Sequence, residues 1–386
     1  MLKTALKGKV VLPDKVLEGG VVVIEGEKIS GVYPPGYNLL ENEINFIDFE
    51  DNFISPGLVD LHLHGALGKD VMDLKIESLS KIAFHQASCG VTGFLGTTTS
   101  SSLESILRAV ETVKKAAKLR LPSDLLGVHI EGPFLSKRKK GAQDPSFIRE
   151  ISKEEIHLLI QAVSGLKTII SMAPEVGNNM SFIKVLKEND IMVSIGHSDA
   201  TYEQALESFK EGISHTTHLF NAMSKFHPRE PGVVGAVFDS PEITAEVIAD
   251  GVHIHPSALR LALVRKGKDK ICLITDSIKA AGSGNGIYTM GNLEIIVKGN
   301  EARLRESGIL AGSVLTLNRA VKNVIEWTED RVNNVVNMAS LNPARVLNLD
   351  EKIGSICEGK YANLAIFDKE FNVVETILRG RSVLKT

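Results

Sequence analysis

Six residues in this chain have the types and the placement that metal chemistry needs: His62, His64, Glu131, His197, His218 and Asp276. Each closes or follows a short apolar run, in PGLVDLHLH, LLGVHIE, IMVSIGH, SHTTHL and KICLITD. His62 and His64 are two residues apart, and on a strand such residues point to the same side. Imidazole and carboxylate together suit zinc or iron. A metal with three protein ligands and an open position lowers the pKa of bound water to about 7 and polarises a carbonyl. Amide hydrolysis then needs a base that takes the proton of the water and returns it to the leaving amine. Asp276 breaks the histidine pattern and is read as that base; the other reading is a further ligand or a structural carboxylate.

The remaining histidines sort by position. His85 and His157 fall in helical stretches and read as surface or satisfied helix residues. His129, two before Glu131, reads either as a residue supporting the ligands or as a core polar group, and His215 as structural. His227, His253 and His255 fall in loops, with His253 following a strand most directly. No GxSxG elbow and no cysteine beside a catalytic histidine is present. The GSGNG run at 282–286 lacks the lysine of a phosphate loop and reads as a turn or lid, while SKRKK at 136–140 is a solvated loop that also attracts anions.

A scaffold must bring these distant residues together. Between about 53 and 276 the chain alternates near-continuous apolar runs with amphipathic helical stretches such as LESILRAVETVKKAAKL. The runs are FISPGLVDLH, VTGFLGTT, LLGVHIE, TIISMAPE, IMVSIGH, SHTTHL, ITAEVIAD and KICLITD. Buried parallel strands covered by helices produce that pattern. The fold class is α/β, and eight such units favour a closed (β/α)8 barrel, in which all the strand ends open on one face. A doubly wound sheet needs a Gly-rich fingerprint after its first strand, where this chain has LHLHGALG. Both ends of the chain read instead as short valine- and isoleucine-rich strands, too few at either end to bury a sheet alone. The expected organisation is a small β-sandwich from 1–51 and 351–386, and a catalytic barrel over 52–350.

With 386 residues and 43% hydrophobic residues, the chain can bury a large core. A net charge of -3 supplies no field for nucleic acid and no polybasic membrane patch. Three separated cysteines make no disulfide framework, no apolar run reaches the ~18 residues of a membrane span, and the first residues have no signal-peptide pattern. A cytoplasmic enzyme is the expectation, with a small molecule rather than nucleic acid or membrane as its partner.

The order PGLVDLHLHG, HIEGPF, KKGA, GHS, THLFNAM, REPG, DGVH, TDS, LAGS, NPARVLNL and GKYANLAIFD resembles the N-acetylglucosamine-6-phosphate deacetylases of the amidohydrolase superfamily. The resemblance runs from about residue 50 to the end. It implies hydrolysis of the acetamide of N-acetylglucosamine 6-phosphate, giving glucosamine 6-phosphate and acetate. It also implies Glu131, His197 and His218 as primary metal ligands and Asp276 as acid/base. Substrate contacts map to Ala142, Gln143, Asn221, Ala222, Arg229, Asp250, His253, Leu310, Ala311 and Gly312. Arg229 and His253 make chemical sense as a phosphate clamp. The resemblance further implies a homodimer in which one clamp residue comes from the neighbouring subunit. Some members lack the first-strand His-X-His and carry one metal; His62 and His64 here leave room for a second, so one or two zinc or iron ions per subunit are expected. The family commonly has histidine where this chain has Gln143, which can donate a hydrogen bond to the substrate carbonyl but no proton.

Two other readings compete. One is a different amidohydrolase, acting on a cyclic amide, an N-acyl amino acid or a nucleobase. The other is a non-catalytic oligomeric scaffold, which the presence of every expected ligand argues against.

Overall fold

The computed structural model describes residues 3–36 and 44–384. Its centre is a barrel of eight parallel strands: β1 (Leu58–Leu63), β2 (Val91–Thr98), β3 (Asp124–Glu131), β4 (Lys167–Met172), β5 (Met192–Ile195), β6 (His215–Thr216), β7 (Thr244–Ile248) and β8 (Ile271–Ile274). They pair in sequence order from β1 to β8. Every residue of β1 and β2 is buried, as expected of strands covered on both faces.

The seam between β1 and β8 closes the barrel just where the chemistry lies. Leu63 bridges Ser277 in parallel, and the Asp276 N–H donates to the His62 carbonyl at 2.8 Å. Asp60, fully buried, ties the same two strands, accepting from the Thr275 hydroxyl at 2.7 Å and the Thr275 N–H at 3.2 Å. Burial pushes its carboxyl up to about 7 against those hydrogen bonds.

Helices fill the connections, and local chemistry starts them. Ser152 accepts from the Glu155 N–H at 3.1 Å while the Glu155 carboxylate accepts from the Ser152 N–H at 3.2 Å, a reciprocal cap on Lys153–Val163. Thr201 and Gln204 repeat it on Tyr202–Glu211, directly after His197.

The two ends of the chain do meet in space. They build one mixed seven-stranded sheet in the order Arg381–Ser382, Val373–Leu378, Leu364–Phe367, Ile44–Pro56, Lys3–Val11, Val16–Glu25 and Lys28–Tyr33. The sheet curls: Ile29 N–H donates to Lys360 O, and Ala362 N–H to Glu27 O, so the far edge returns to the C-terminal segment. Its enclosed core draws on both ends, with Leu6, Val22, Ile54, Leu364, Ile366 and Ile377 in one cluster.

The strand Ile44–Pro56 carries the sheet past residue 51, and the run FISPGLVDLH divides between sheet and barrel. The division falls at Pro56–Gly57, where Gly57 is packed so closely that a Cβ would meet Thr92 Oγ1 at 2.2 Å. A three-stranded antiparallel insert, Gly286–Met290, Leu293–Lys298 and Glu301–Leu304, follows β8 and was not foreseen from the sequence. The GSGNG run is the turn that leads into it. Among the described residues, no helix is long and apolar enough to cross a membrane.

Candidate metal centre and active site

The six chemical residues converge at the C-terminal mouth of the barrel. Glu131 ends β3, while His197, His218 and Asp276 each lie two residues beyond the end of β5, β6 and β8. All three of the latter adopt left-handed backbone conformations, with φ of 48°, 32° and 49°. That reversal turns each side chain back over the barrel axis.

Glu131 Oε1 lies 3.1 Å from both His197 Nε2 and His218 Nε2, which are themselves 3.1 Å apart. Tetrahedral ligand atoms ~2.0–2.1 Å from a zinc ion would be ~3.3 Å from one another, so this triangle fits a cation. Its chemistry fits as well. His197 donates through Nδ1 to the Lys139 carbonyl at 2.8 Å, so Nε2 is the ring nitrogen that faces the centre.

A second group shares Glu131. His64 Nε2 lies 3.2 Å from Glu131 Oε2 and 3.3 Å from Asp276 Oδ1. His62 Nε2 lies 3.5 Å from Glu131 Oε1 and 3.6 Å from Asp276 Oδ1. Because His62 Nδ1 is engaged by Glu246 at 3.0 Å, its Nε2 is a buried polar atom with no hydrogen-bond partner among the described residues. A cation between His62, His64 and Asp276 would satisfy it.

The electrostatics demand positive charge. Burial opposes ionisation of Glu131, but the His62 charge and the bonds from His197 and His218 hold its carboxyl well below the usual range. Burial likewise opposes ionisation of Asp276, and His62 and His64 still keep it low. Burial disfavours charge on His64, yet Asp276 and Glu131 raise it to about 9. Two carboxylates among four imidazoles must be balanced by protons or by metal, and the two compete.

Beneath the ligands lies a polar layer. Glu246, fully buried, faces His62 Nδ1 at 3.0 Å and His215 Nε2 at 3.2 Å, and accepts from the His218 N–H at 3.2 Å. His215 therefore supports the centre from below. His129, its ring 4.4 Å from that of His62, shares a hydrogen bond with Ser171 Oγ at 2.7 Å. Burial and the His62 charge push it down to about 3, so it is a neutral supporting group. His157 is exposed, but His85 is buried in its helix rather than on the surface.

Above the centre is a cavity of about 330 Å³, within the range of small-ligand sites. Ala142, Gln143, Asn221, Ala222, His253, Leu310 and Gly312 line it. Gly312 has φ of 57°, and a Cβ there would meet Ile278 at 2.6 Å and Asp276 O at 2.8 Å, so glycine lets this segment lie against Asp276.

Three expected contacts lie outside this wall, and a fourth within it is bonded to protein. Arg229 is exposed and lies outside the cavity wall of its own chain. Asp250 stands behind His253, bonded to its Nδ1 at 2.7 Å. Ala311 is fully buried, packed into the core under the three-stranded insert. Gln143 lies at the wall, but both ends of its amide are bonded to protein: Nε2 donates to Glu131 at 2.7 Å and Oε1 accepts from Ser100 N–H at 2.7 Å. Wall residues that sequence reasoning did not single out include Thr99, Phe220, Lys225, Met290 and Ile309. Arg138 and Lys139, from the SKRKK run, also line it and pair with Asp199 at 3.4 and 3.2 Å.

Comparison with known proteins agrees with this geometry. Residues 53–383 match the model of the amidohydrolase family. The chain is 37% identical to the N-acetylglucosamine-6-phosphate deacetylase of Bacillus subtilis over 96% of this chain and 94% of that one. It is 34% identical to the N-acetylgalactosamine-6-phosphate deacetylase of Escherichia coli, covering 88% and 89%. The crystal structure of N-acetylglucosamine-6-phosphate deacetylase from Pasteurella multocida superposes with a TM-score of 0.93 at 32% identity, over 98% of this chain and 99% of that one. A barrel whose strand ends gather histidines and carboxylates, matched along nearly its whole length by these relatives, belongs to the amidohydrolase family.

Proposed function

We propose that this metal-dependent amide hydrolase removes the acetyl group of N-acetylglucosamine 6-phosphate, giving glucosamine 6-phosphate and acetate. The observation that carries the reading is the meeting of Glu131, His197 and His218 at 3.1 Å, with Asp276 beside Glu131 in the wall of one small cavity. The relatives' names supply the substrate.

Glu131, His197 and His218 would hold a first divalent ion, and His62, His64 and Asp276 could hold a second; zinc and iron(II) both suit these donors. When bound, the ion supplies a water of lowered pKa and Lewis acidity toward the carbonyl. Asp276 would take a proton from the attacking water as the oxygen of that water adds to the acetamide carbon. It then delivers the proton to the sugar nitrogen as the C–N bond breaks. Water and amide thus become acid and amine with no group left over.

The phosphate is met by His253, which Asp250 keeps raised above its ordinary value against burial. Arg138, Lys139 and Lys225 add positive charge at the cavity wall. Arg229, exposed on its own subunit, reaches the site of a neighbour in a homodimer. We place the enzyme in the cytoplasm, a compartment that suits three free cysteines, two of them buried.

The test is acetate release from N-acetylglucosamine 6-phosphate, its 4-epimer and the unphosphorylated sugar, using protein stripped by chelator and reloaded with zinc or iron(II). Activity restored by metal, with the phosphorylated glucosamine derivative preferred, is the expected result. Equal turnover with and without phosphate would refute the substrate reading.

A further inference from the structure

Gln143 is nine-tenths buried or more at the cavity wall, and its amide spans two protein groups. The Ser100 backbone N–H can only donate, so the atom it meets at 2.7 Å must be the carbonyl oxygen of the Gln143 amide. The NH2 end is then forced to face Glu131 Oε2, also at 2.7 Å, where it makes a charge-assisted bond. The orientation of this amide is therefore fixed by the backbone of another strand-end loop.

That bond has a consequence at the carboxylate. The terminal torsion of a glutamate is soft, with no sharp staggered minimum. Oε1 is the oxygen near His197 and His218, at 3.1 Å from each and with His62 farther off at 3.5 Å, and Oε2 is the oxygen near His64, at 3.2 Å. Rotation of the carboxylate would blur this division. An amide clamped at both ends prevents it.

We propose that Gln143 is a positioning residue for Glu131: it sets how the carboxylate is shared between the two cation positions, and it does not serve as a donor to the substrate carbonyl. The inference rests on the metal-centre reading but not on the identity of the substrate. Groups that orient metal ligands in this way typically alter metal affinity by 10- to 100-fold.

The experiment measures zinc affinity of the full chain by competition with a chromophoric chelator, the visible spectrum of the cobalt(II)-loaded protein, and kcat and KM at saturating zinc. Gln143→Ala and the volume-preserving Gln143→Met are expected to bind zinc about 10- to 100-fold more weakly. Both should change the cobalt spectrum, and at saturating zinc any loss should fall on kcat rather than on KM, since the amide holds Glu131 and not the substrate. Gln143→Glu should bind zinc more weakly at neutral pH than either, because it keeps the Ser100 acceptor but sets an oxygen against Glu131. Unchanged zinc affinity and spectrum in the Ala and Met variants would overturn the proposal, whether kcat stayed the same or fell. A parent chain that took up no zinc or cobalt would instead overturn the metal-centre reading itself.

Discussion

Asp276→Asn isolates the proton-transfer step. Asp276 Oδ1 stands 3.3 Å from His64 Nε2 and 3.6 Å from His62 Nε2. Asparagine keeps the volume and one acceptor oxygen for these contacts. It also tolerates the left-handed backbone at this position, φ 49°, better than most residues do. What disappears is the negative charge and the ability to carry a proton. In the parent enzyme that charge is secured, because His62 and His64 hold the carboxyl below its usual range against the effect of burial. Loss of a positioned general acid–base costs about 10²- to 10⁴-fold in rate, equivalent to about 2.7–5.5 kcal/mol of barrier. The first ion should stay, since Glu131, His197 and His218 are untouched. Acetate release at saturating substrate gives kcat, and elemental analysis of the same sample gives metal content. A kcat within threefold of the parent, with metal retained, would refute the proton shuttle. Loss of the first ion would show that Asp276 is needed to hold the centre.

Two further expectations concern the groups around this centre. Burial disfavours charge on His253, but Asp250 raises it above its ordinary value, so its positive charge is present at lower pH and is lost as pH rises through the raised value. KM for the phosphorylated substrate should climb over that interval, and Asp250→Asn, which removes the raising charge, should move the climb to lower pH; a KM–pH curve unmoved by the variant contradicts this. Glu246→Ala leaves buried His62 and His215 without their carboxylate and should lower stability by about 3–5 kcal/mol. Urea unfolding measures it, and a loss below about 1 kcal/mol would place the supporting role elsewhere.

Much of this was readable in advance because parallel strands buried on both faces announce themselves as continuous apolar runs, as VTGFLGTT does in becoming β2. The candidate ligands stand out because a polar residue ending such a run has few structural reasons to be there. What resisted reading depends on neighbours distant in sequence. That the Gln143 amide is bonded to protein at both ends is seen only once Ser100 and Glu131 are placed beside it. His215 and His129 reveal their supporting role only through Glu246 and His62. The split of one apolar run at Pro56–Gly57 has no periodicity signal, since both halves are buried strand. Gly286–Leu304 escaped because short, partly exposed strands on an insert lack the apolar continuity of the barrel.

The left-handed residues at 197, 218 and 276 separate two tasks that enzymes often entangle. At these three positions the backbone reverses within two residues of the strand end, so the side chain leaves the chain before its loop begins. The loops that follow, bearing Asn221, Lys225, Arg229 and Ile278, can be lengthened or exchanged without re-aiming the metal ligands. One barrel can thereby acquire new substrates while keeping an old reaction. The arrangement also carries a standing penalty of about 1–2 kcal/mol for a residue with a Cβ in that conformation. Glycine at 197 or 218 would relieve it only by removing an imidazole that faces buried Glu131, so the strain cannot be shed without dismantling the cluster.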